Sequence, residues 1–355
     1  MSVQHTQHAK AVVQIIIQDL HRPTDSIHTC GASVIRLLDC CARNVASMPL
    51  PHRVDDLVQL GHDKLHAFPF ADVPLCWRRL YTDASILKAI ADDATEPLDL
   101  AIILAGAPER REHIDNIFSD LEIGATKRQR TAFTSASILP AIHHALARTN
   151  NLTRLTVPTV LVGSLEHWPA LRKWTPSYLL DKTLDGRRLV PVEIGRSYTD
   201  DGWGQSIMPF GRFLEDFVSG SEVGYLAQHN LFSQIPSLRK DIGTPDVCYM
   251  TDSEQDPLIN AWFGPADTVS PLHTDPYHNI FCQVIGQKYV RLYSPDESEK
   301  LYPRGVEEGG IDMGNTSRVN AEGDSADFPL FQEARYVETI LSEGESLFIP
   351  VGIPC

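Results

Sequence analysis

The segment Ser270-Pro271-Leu272-His273-Thr274-Asp275 carries the residue types best suited to chemistry. Alternate residues of an extended strand point to one face, so an imidazole and a carboxylate two positions apart project together. Joined by a histidine from a distant strand, they make the facial donor set of a non-haem Fe(II) site, which leaves three positions open. The spacing alone is weak, since His113-Ile114-Asp115 repeats it in a helical, acidic stretch with nothing metal-like nearby. His273 and Asp275 stand out because short β-branched and aromatic runs surround them. Further along, Lys288 precedes the apolar run Tyr289–Tyr293. Its charge there either meets an anion or snorkels to solvent, and the residues alone leave both open.

The elements that must position these groups fall into two halves. Ala32–Val45, Trp77–Ile90 and Leu98–Leu121 have apolar residues three and four apart, the pattern of one buried helical face. Gly106-Ala107-Pro108 breaks the last of them. Ser137–Ala147 predicts a further helix, and the proline-bearing MPLPHR and FPFADVP read as connections. After about Asn150 the composition shifts. Leu155–Val162, Ala261–Gly264, Val269–Asp275, Ile280–Ile285, Tyr289–Tyr293 and Glu345–Pro350 read as short strands parted by turn residues, the cadence of an antiparallel sandwich or barrel. Asp296–Pro329 reads as a long polar loop, and the basic run Lys127–Arg130 as solvated rather than as a localisation signal.

Composition limits the function classes. The chain has 355 residues, 43% hydrophobic and 22% charged, which predicts two globular domains and excludes a fibre or a disordered polymer. Lys+Arg number 31 against 46 Asp+Glu, a net charge of −15, so phosphate-backbone binding to nucleic acid is not expected and a basic protein or peptide partner is. The seven scattered cysteines fit neither a disulfide framework nor a zinc ribbon, and no apolar run is long enough for a membrane span. No signal peptide is read at the start, and a nuclear or cytoplasmic location is expected.

Residues Asn260–Pro295, NAWFGPADTVSPLHTDPYHNIFCQVIGQKYVRLYSP, resemble the core of the JmjC (jumonji C) oxygenases, within them the lysine demethylase eight group. Val162–Trp174, Val190–Gln205 and Val223–Pro236 resemble the same group in order, so the likeness covers about residues 155–351. The resemblance implies an α+β chain: a helical domain over 1–150, then a double-stranded β-helix (cupin-like) domain over 151–355. It implies Fe(II) and 2-oxoglutarate as cofactors, with His273 and Asp275 on two of three iron positions. By the same likeness Lys288 meets the distal carboxylate of 2-oxoglutarate, and Tyr225, Ser270 and Asn279 supply neutral donors to it. Trp262, Glu193 and Trp203 fall where the substrate is met, although Trp262 also reads as core, Tyr225 as packing and Asn279 as a turn residue. The implied activity is oxygenation of an arginine (hydroxylation) or methyl-lysine (demethylation) side chain of a basic protein. A non-catalytic protein-binding module on the same scaffold is the alternative.

The likeness stops after Phe348-Ile349-Pro350-Val351. The family has its third ligand, a histidine, shortly afterwards. Here Cys355 stands near that place and no histidine follows His278. This reads as a chain truncated before its third ligand and its closing strands. It predicts weak iron binding, no coupled turnover and poor solubility, unless Cys355 or His278 enters the metal shell.

Overall fold

The computed structural model describes residues 2–45, 51–122, 133, 139–151, 155–195, 203–250, 255–306, 312–321 and 326–355. The basic run Lys127–Arg130 lies outside them. The first half is helical: α1 (Gln7–Leu20), α2 (Ala32–Asn44), α3 (Pro51–His66), α4 (Leu75–Ala91), α5 (Glu96–Ala105) and α6 (Arg111–Glu122). Thr6 caps α1 by accepting from the Ala9 N–H, which satisfies one of the free donors at the helix start. α4 buries residues around most of its circumference, so it runs through the middle of this half. Gly106 ends α5 in the left-handed region at φ 74° and its N–H donates to Ile102 O, which accounts for the break expected at that position.

Two fully buried guanidinium groups cross-link the helices. Arg110 reaches Asp19 at 2.6 Å and Asp83 at 2.8 Å, and Arg79 pairs with Asp19, Asp25, Asp83 and Glu109. Burial pushes the Asp83 carboxyl up, and Arg110 and Arg79 oppose that shift.

The second half holds β1 (Ala147–Thr149), β2 (Thr159–Leu161), β3 (Leu189–Ile194), β4 (Gly204–Pro209), β5 (Gly224–His229), β6 (Ala261–Phe263), β7 (Asn279–Cys282), β8 (Lys288–Tyr293), β9 (Tyr336–Leu341) and β10 (Ser346–Ile349). They form sheets in the orders β1-β2-β10-β7, β4-β3-β5-β6 and β8-β9. β10 reads SLFI and is buried at every position, as a central strand covered on both faces must be. Val160, Leu292, Leu341, Leu347 and Ile349 make one core, and Val190, Val192, Leu226, Phe210 and Phe213 another.

Three expectations are corrected. Val269–Asp275 is not a regular strand: only an isolated bridge, His273 with Thr316, marks it as extended. Pro271 and Pro276 lack the N–H that a ladder needs. The described part of Ser137–Ala147 is not helical. His143 and His144 donate their backbone N–H groups to the buried Glu338 carboxylate at 2.7 and 3.2 Å, Ala145 bridges Glu338, and Ala147 opens β1. Tertiary bonds win over local helix propensity there. The described part of Asp296–Pro329 is not bare loop either. A 3-10 helix spans Pro295–Leu301, bridges join Pro303 to Ser317 and Val306 to Asp312, and Leu301 and Val319 are buried.

Asp241, in the turn after the short helix Pro236–Arg239, ties that turn to the short helices α7 (Ala170–Lys173) and α8 (Pro176–Lys182). It accepts from Lys173 Nζ at 2.8 Å, Tyr178 Oη at 2.6 Å and Trp174 Nε1 at 3.2 Å. Burial alone would raise its pKa, but these donors outweigh burial and hold the carboxyl below its ordinary value. Its contribution to stability is therefore present above the unfolded carboxylate pKa of about 3.9 and is lost as pH falls through the lower folded value. Asp241→Asn is expected to cost about 1.5–3 kcal/mol at neutral pH and to flatten the acid limb of the stability curve. Urea titrations between pH 2 and 7 check this, and an unchanged acid limb counts against it.

Candidate active site

β3 and β5 run antiparallel with Glu193 opposite Tyr225. Lys288, the first residue of β8, brings its ammonium to 5.7 Å from the Tyr225 ring centre. Tyr225 is buried, and the Ser270 hydroxyl lies near enough to its phenol to oppose part of the effect of burial. Burial pushes that phenol well up, so it stays a proton donor across the physiological range. A Cβ on Gly264 would stand 2.8 Å from the Tyr225 ring, so a glycine is required there for the ring to take this place.

His273 and Asp275 face each other without a strand to align them, Nε2 to Oδ2 at 3.9 Å. Each is oriented by a neighbour. His273 Nδ1 lies 2.7 Å from the Pro271 carbonyl oxygen, an acceptor that fixes the Nδ1–H tautomer and frees Nε2 as a ligand. Asn279, the first residue of β7, donates Nδ2 to Asp275 Oδ2 at 2.6 Å. The backbones of His273 and Cys355 exchange both N–H···O bonds at 2.9 Å. Cys355 is half-buried, and its thiol is pushed up to about 12 by burial, with Asp275 adding to the shift and Lys288 opposing it. His278 is engaged elsewhere: Nδ1 accepts from Val351 N–H at 3.1 Å and its ring stacks on Phe348.

The structure thus gathers His273, Asp275, Asn279, Ser270, Tyr225 and Lys288. Asn279 meets Asp275 rather than serving as a bare turn residue. Glu193 is half-buried, and burial raises its pKa while the Trp203 indole N–H opposes that shift. The indole nitrogen approaches without full hydrogen-bond geometry and is otherwise unpaired. Trp262, on β6 beside β5, is 43% exposed, so it is not core. Sequence reasoning missed the Pro271 carbonyl and the close approach of Gly264 to the Tyr225 ring, which joins residues far apart in the chain.

The donors fit the implied cofactors unequally. Lys288, Tyr225 and Ser270 offer a cation and two hydroxyls, the chemistry a dicarboxylate needs. His273 and Asp275 fit two positions of a divalent metal, each already held by an outer partner. Among the described residues no group of three His, Cys, Asp or Glu forms a metal cluster. No described helix is long and apolar enough to cross a membrane.

A cupin-like domain family matches residues 145–353. Lysine-specific demethylase 8 of Danio rerio is 32% identical over a 374-residue alignment that covers 93% of this chain and 90% of that protein. Jumonji C domain-containing protein 5 of Drosophila melanogaster is 33% identical over 335 residues, 84% of this chain and 81% of that protein. Lysine-specific demethylase 8 of Xenopus tropicalis is 48% identical over 198 residues, 55% of this chain but only 43% of that protein.

Proposed function

Because the chain belongs to the cupin-like JmjC family of oxygenases, we propose that it is an Fe(II)- and 2-oxoglutarate-dependent oxygenase acting on a cationic side chain, arginine or methyl-lysine, of a basic protein. The observation that carries this reading is the convergence of a cation and two hydroxyls beside a paired imidazole and carboxylate. Bound together, Fe(II) and 2-oxoglutarate supply the oxidising power to insert one atom of O2 into a C–H bond, with succinate and CO2 as co-products. The protein's part is to bind, orient and exclude water. Lys288 and the Tyr225 and Ser270 hydroxyls receive the carboxylates, while His273 and Asp275 hold the metal. The half-buried Glu193 carboxylate suits a guanidinium or ammonium, and burial strengthens that attraction.

The test is peptide-dependent succinate release with arginine-bearing and methyl-lysine-bearing basic peptides. Mass spectrometry separates the two chemistries: arginine hydroxylation leaves an added oxygen, and demethylation loses a methyl group as formaldehyde. Glu193→Gln is expected to raise the peptide KM by about tenfold to a hundredfold with little change in the 2-oxoglutarate KM, the scale of one charge-assisted bond. Peptide affinity should also fall as salt rises, since exposed charges are screened over about 10 Å at 0.1 M. A peptide KM that ignores both the substitution and ionic strength counts against a cationic substrate.

A second reading, a protein-binding module without turnover, is favoured by the lack of a third ligand beside His273 and Asp275 among the described residues. On that reading peptides bind, no succinate is released, and Asp275→Ala leaves peptide binding unchanged.

A further inference from the structure

Asp99, in α5 of the helical half, is fully buried and is a hub for the sheets. Its carboxylate accepts from Arg188 Nε at 3.0 Å, from Leu189 N–H at 2.8 Å and from Gln234 Nε2 at 2.7 Å, and it pairs with the second Arg188 nitrogen at 2.9 Å. Arg188 also donates to Gln234 O at 2.8 Å, and its guanidinium lies 3.5 Å over the Phe118 ring of α6. Gln234 Nε2 donates to Leu189 O at 2.7 Å, and its Oε1 meets His229 Nε2 at 2.5 Å. All of Asp99, Arg188 and Gln234 are out of water.

The hub fastens two particular points: Leu189, which opens β3, and His229, which closes β5. Those strands meet at their other ends, where Glu193 stands opposite Tyr225. The distance along each strand is about 13 Å, at about 3.3 Å per residue. Lys288 comes from β8, in a different sheet, so the Tyr225–Lys288 spacing depends on how β3 and β5 are set as a unit. Apolar packing would serve a merely adhesive seam at least as well as buried charge, whereas a charge with fixed partners specifies one register.

We propose that Asp99 is a positioning residue for co-substrate recognition: through Arg188 and Gln234 the helical half sets β3 and β5 so that Tyr225 faces Lys288. The proposal rests on the reading of Tyr225 and Lys288 as the 2-oxoglutarate site. The hub therefore makes the helical half part of the oxygenase pocket rather than a separate appendage.

The test uses the full chain with three substitutions. Asp99→Asn keeps the shape of the hub but strips its charge. Gln234→Met removes the amide while leaving Asp99 and Arg188 paired. Asp83→Asn disturbs the other buried ion network, which touches neither β3 nor β5 through its ion pairs, and so controls for loss of stability alone. Two quantities are read: 2-oxoglutarate affinity by calorimetry with Mn(II) present, and hydrogen exchange of the amides over 189–194 and 224–229. Asp99→Asn and Gln234→Met are expected to weaken 2-oxoglutarate binding by about threefold to tenfold and to speed exchange in both segments, the scale of coupling through a packed network. Asp83→Asn should leave both unchanged. Unaltered affinity and exchange in folded Asp99→Asn overturn the proposal, as does an equal effect of Asp83→Asn. If Asp99→Asn does not fold, Gln234→Met decides by the same two readings. If the unsubstituted chain binds no 2-oxoglutarate, the co-substrate reading fails by itself. Exchange then decides whether Asp99 sets β3 and β5, with faster exchange than in Asp83→Asn supporting it and equal exchange overturning it.

Discussion

Lys288→Ala is expected to weaken 2-oxoglutarate binding by about 1.5–3 kcal/mol, roughly tenfold to a hundredfold in Kd. A charge-assisted bond from an ammonium to a carboxylate is worth about twice a neutral one, and partial burial keeps it from being screened away. Lys288 is half-buried at the start of β8, with its ammonium near the face of Tyr225. The same substitution takes away the positive charge that opposes the upward push of Asp275 on the Cys355 thiol. Lys288→Arg keeps the charge but places a planar, larger group against the Tyr225 ring, so it should restore only part of the affinity. Calorimetric titration of 2-oxoglutarate with Mn(II) in place of iron reads the effect without turnover. An affinity unchanged in Lys288→Ala would falsify the co-substrate role of this residue. That result would also return Lys288 to the alternative reading of a lysine that snorkels to solvent.

The residues that the fold gathers at the candidate site were legible in the sequence, while part of their geometry was not. His273 and Asp275 were found from their spacing and setting, yet the reason given, a common face of a regular strand, does not hold. The two side chains are brought together by Pro271, by Asn279 and by a backbone pair with Cys355, none of which a period-two pattern encodes. One proline segment misled in the helical half as well. MPLPHR read as a connection, but its described part opens α3 at Pro51, where a missing N–H costs nothing, whereas FPFADVP is the connection it was read as, with Pro74 immediately before α4. The strands β8 and β10 were legible because their own residues are apolar and β-branched or aromatic. The hub of Asp99 was not, because Asp99 and Arg188 are far apart in the chain and each looks like an ordinary surface charge until the fold buries both. Segment 139–147 failed for a related reason: its partner, Glu338, lies in β9, far along the chain.

Asp275→Ala is expected to reduce divalent-metal affinity by more than about a hundredfold, and Asn279→Ala by about tenfold to a hundredfold. The difference follows from what each side chain does. Asp275 presents an oxygen toward His273 Nε2 across 3.9 Å, so its loss removes one of the two proposed ligands that face each other here. Asn279 donates to Asp275 Oδ2 at 2.6 Å, and so fixes the rotation of the carboxylate rather than binding the metal. Asn279→Asp is the more telling change. It keeps the volume but replaces the donor with a second anion at hydrogen-bond distance from Asp275, so the carboxylates repel and one is driven to hold a proton. Without metal, that repulsion should destabilise the site. With metal, the added negative charge offsets part of the lost orientation, so affinity should fall less than in Asn279→Ala and should depend more steeply on pH. Mn(II) binding followed by electron paramagnetic resonance ranks the variants directly. Full affinity in Asp275→Ala would remove this carboxylate from the metal shell, and the assignment of His273 as its neighbouring ligand would then have to rest on Nε2 alone.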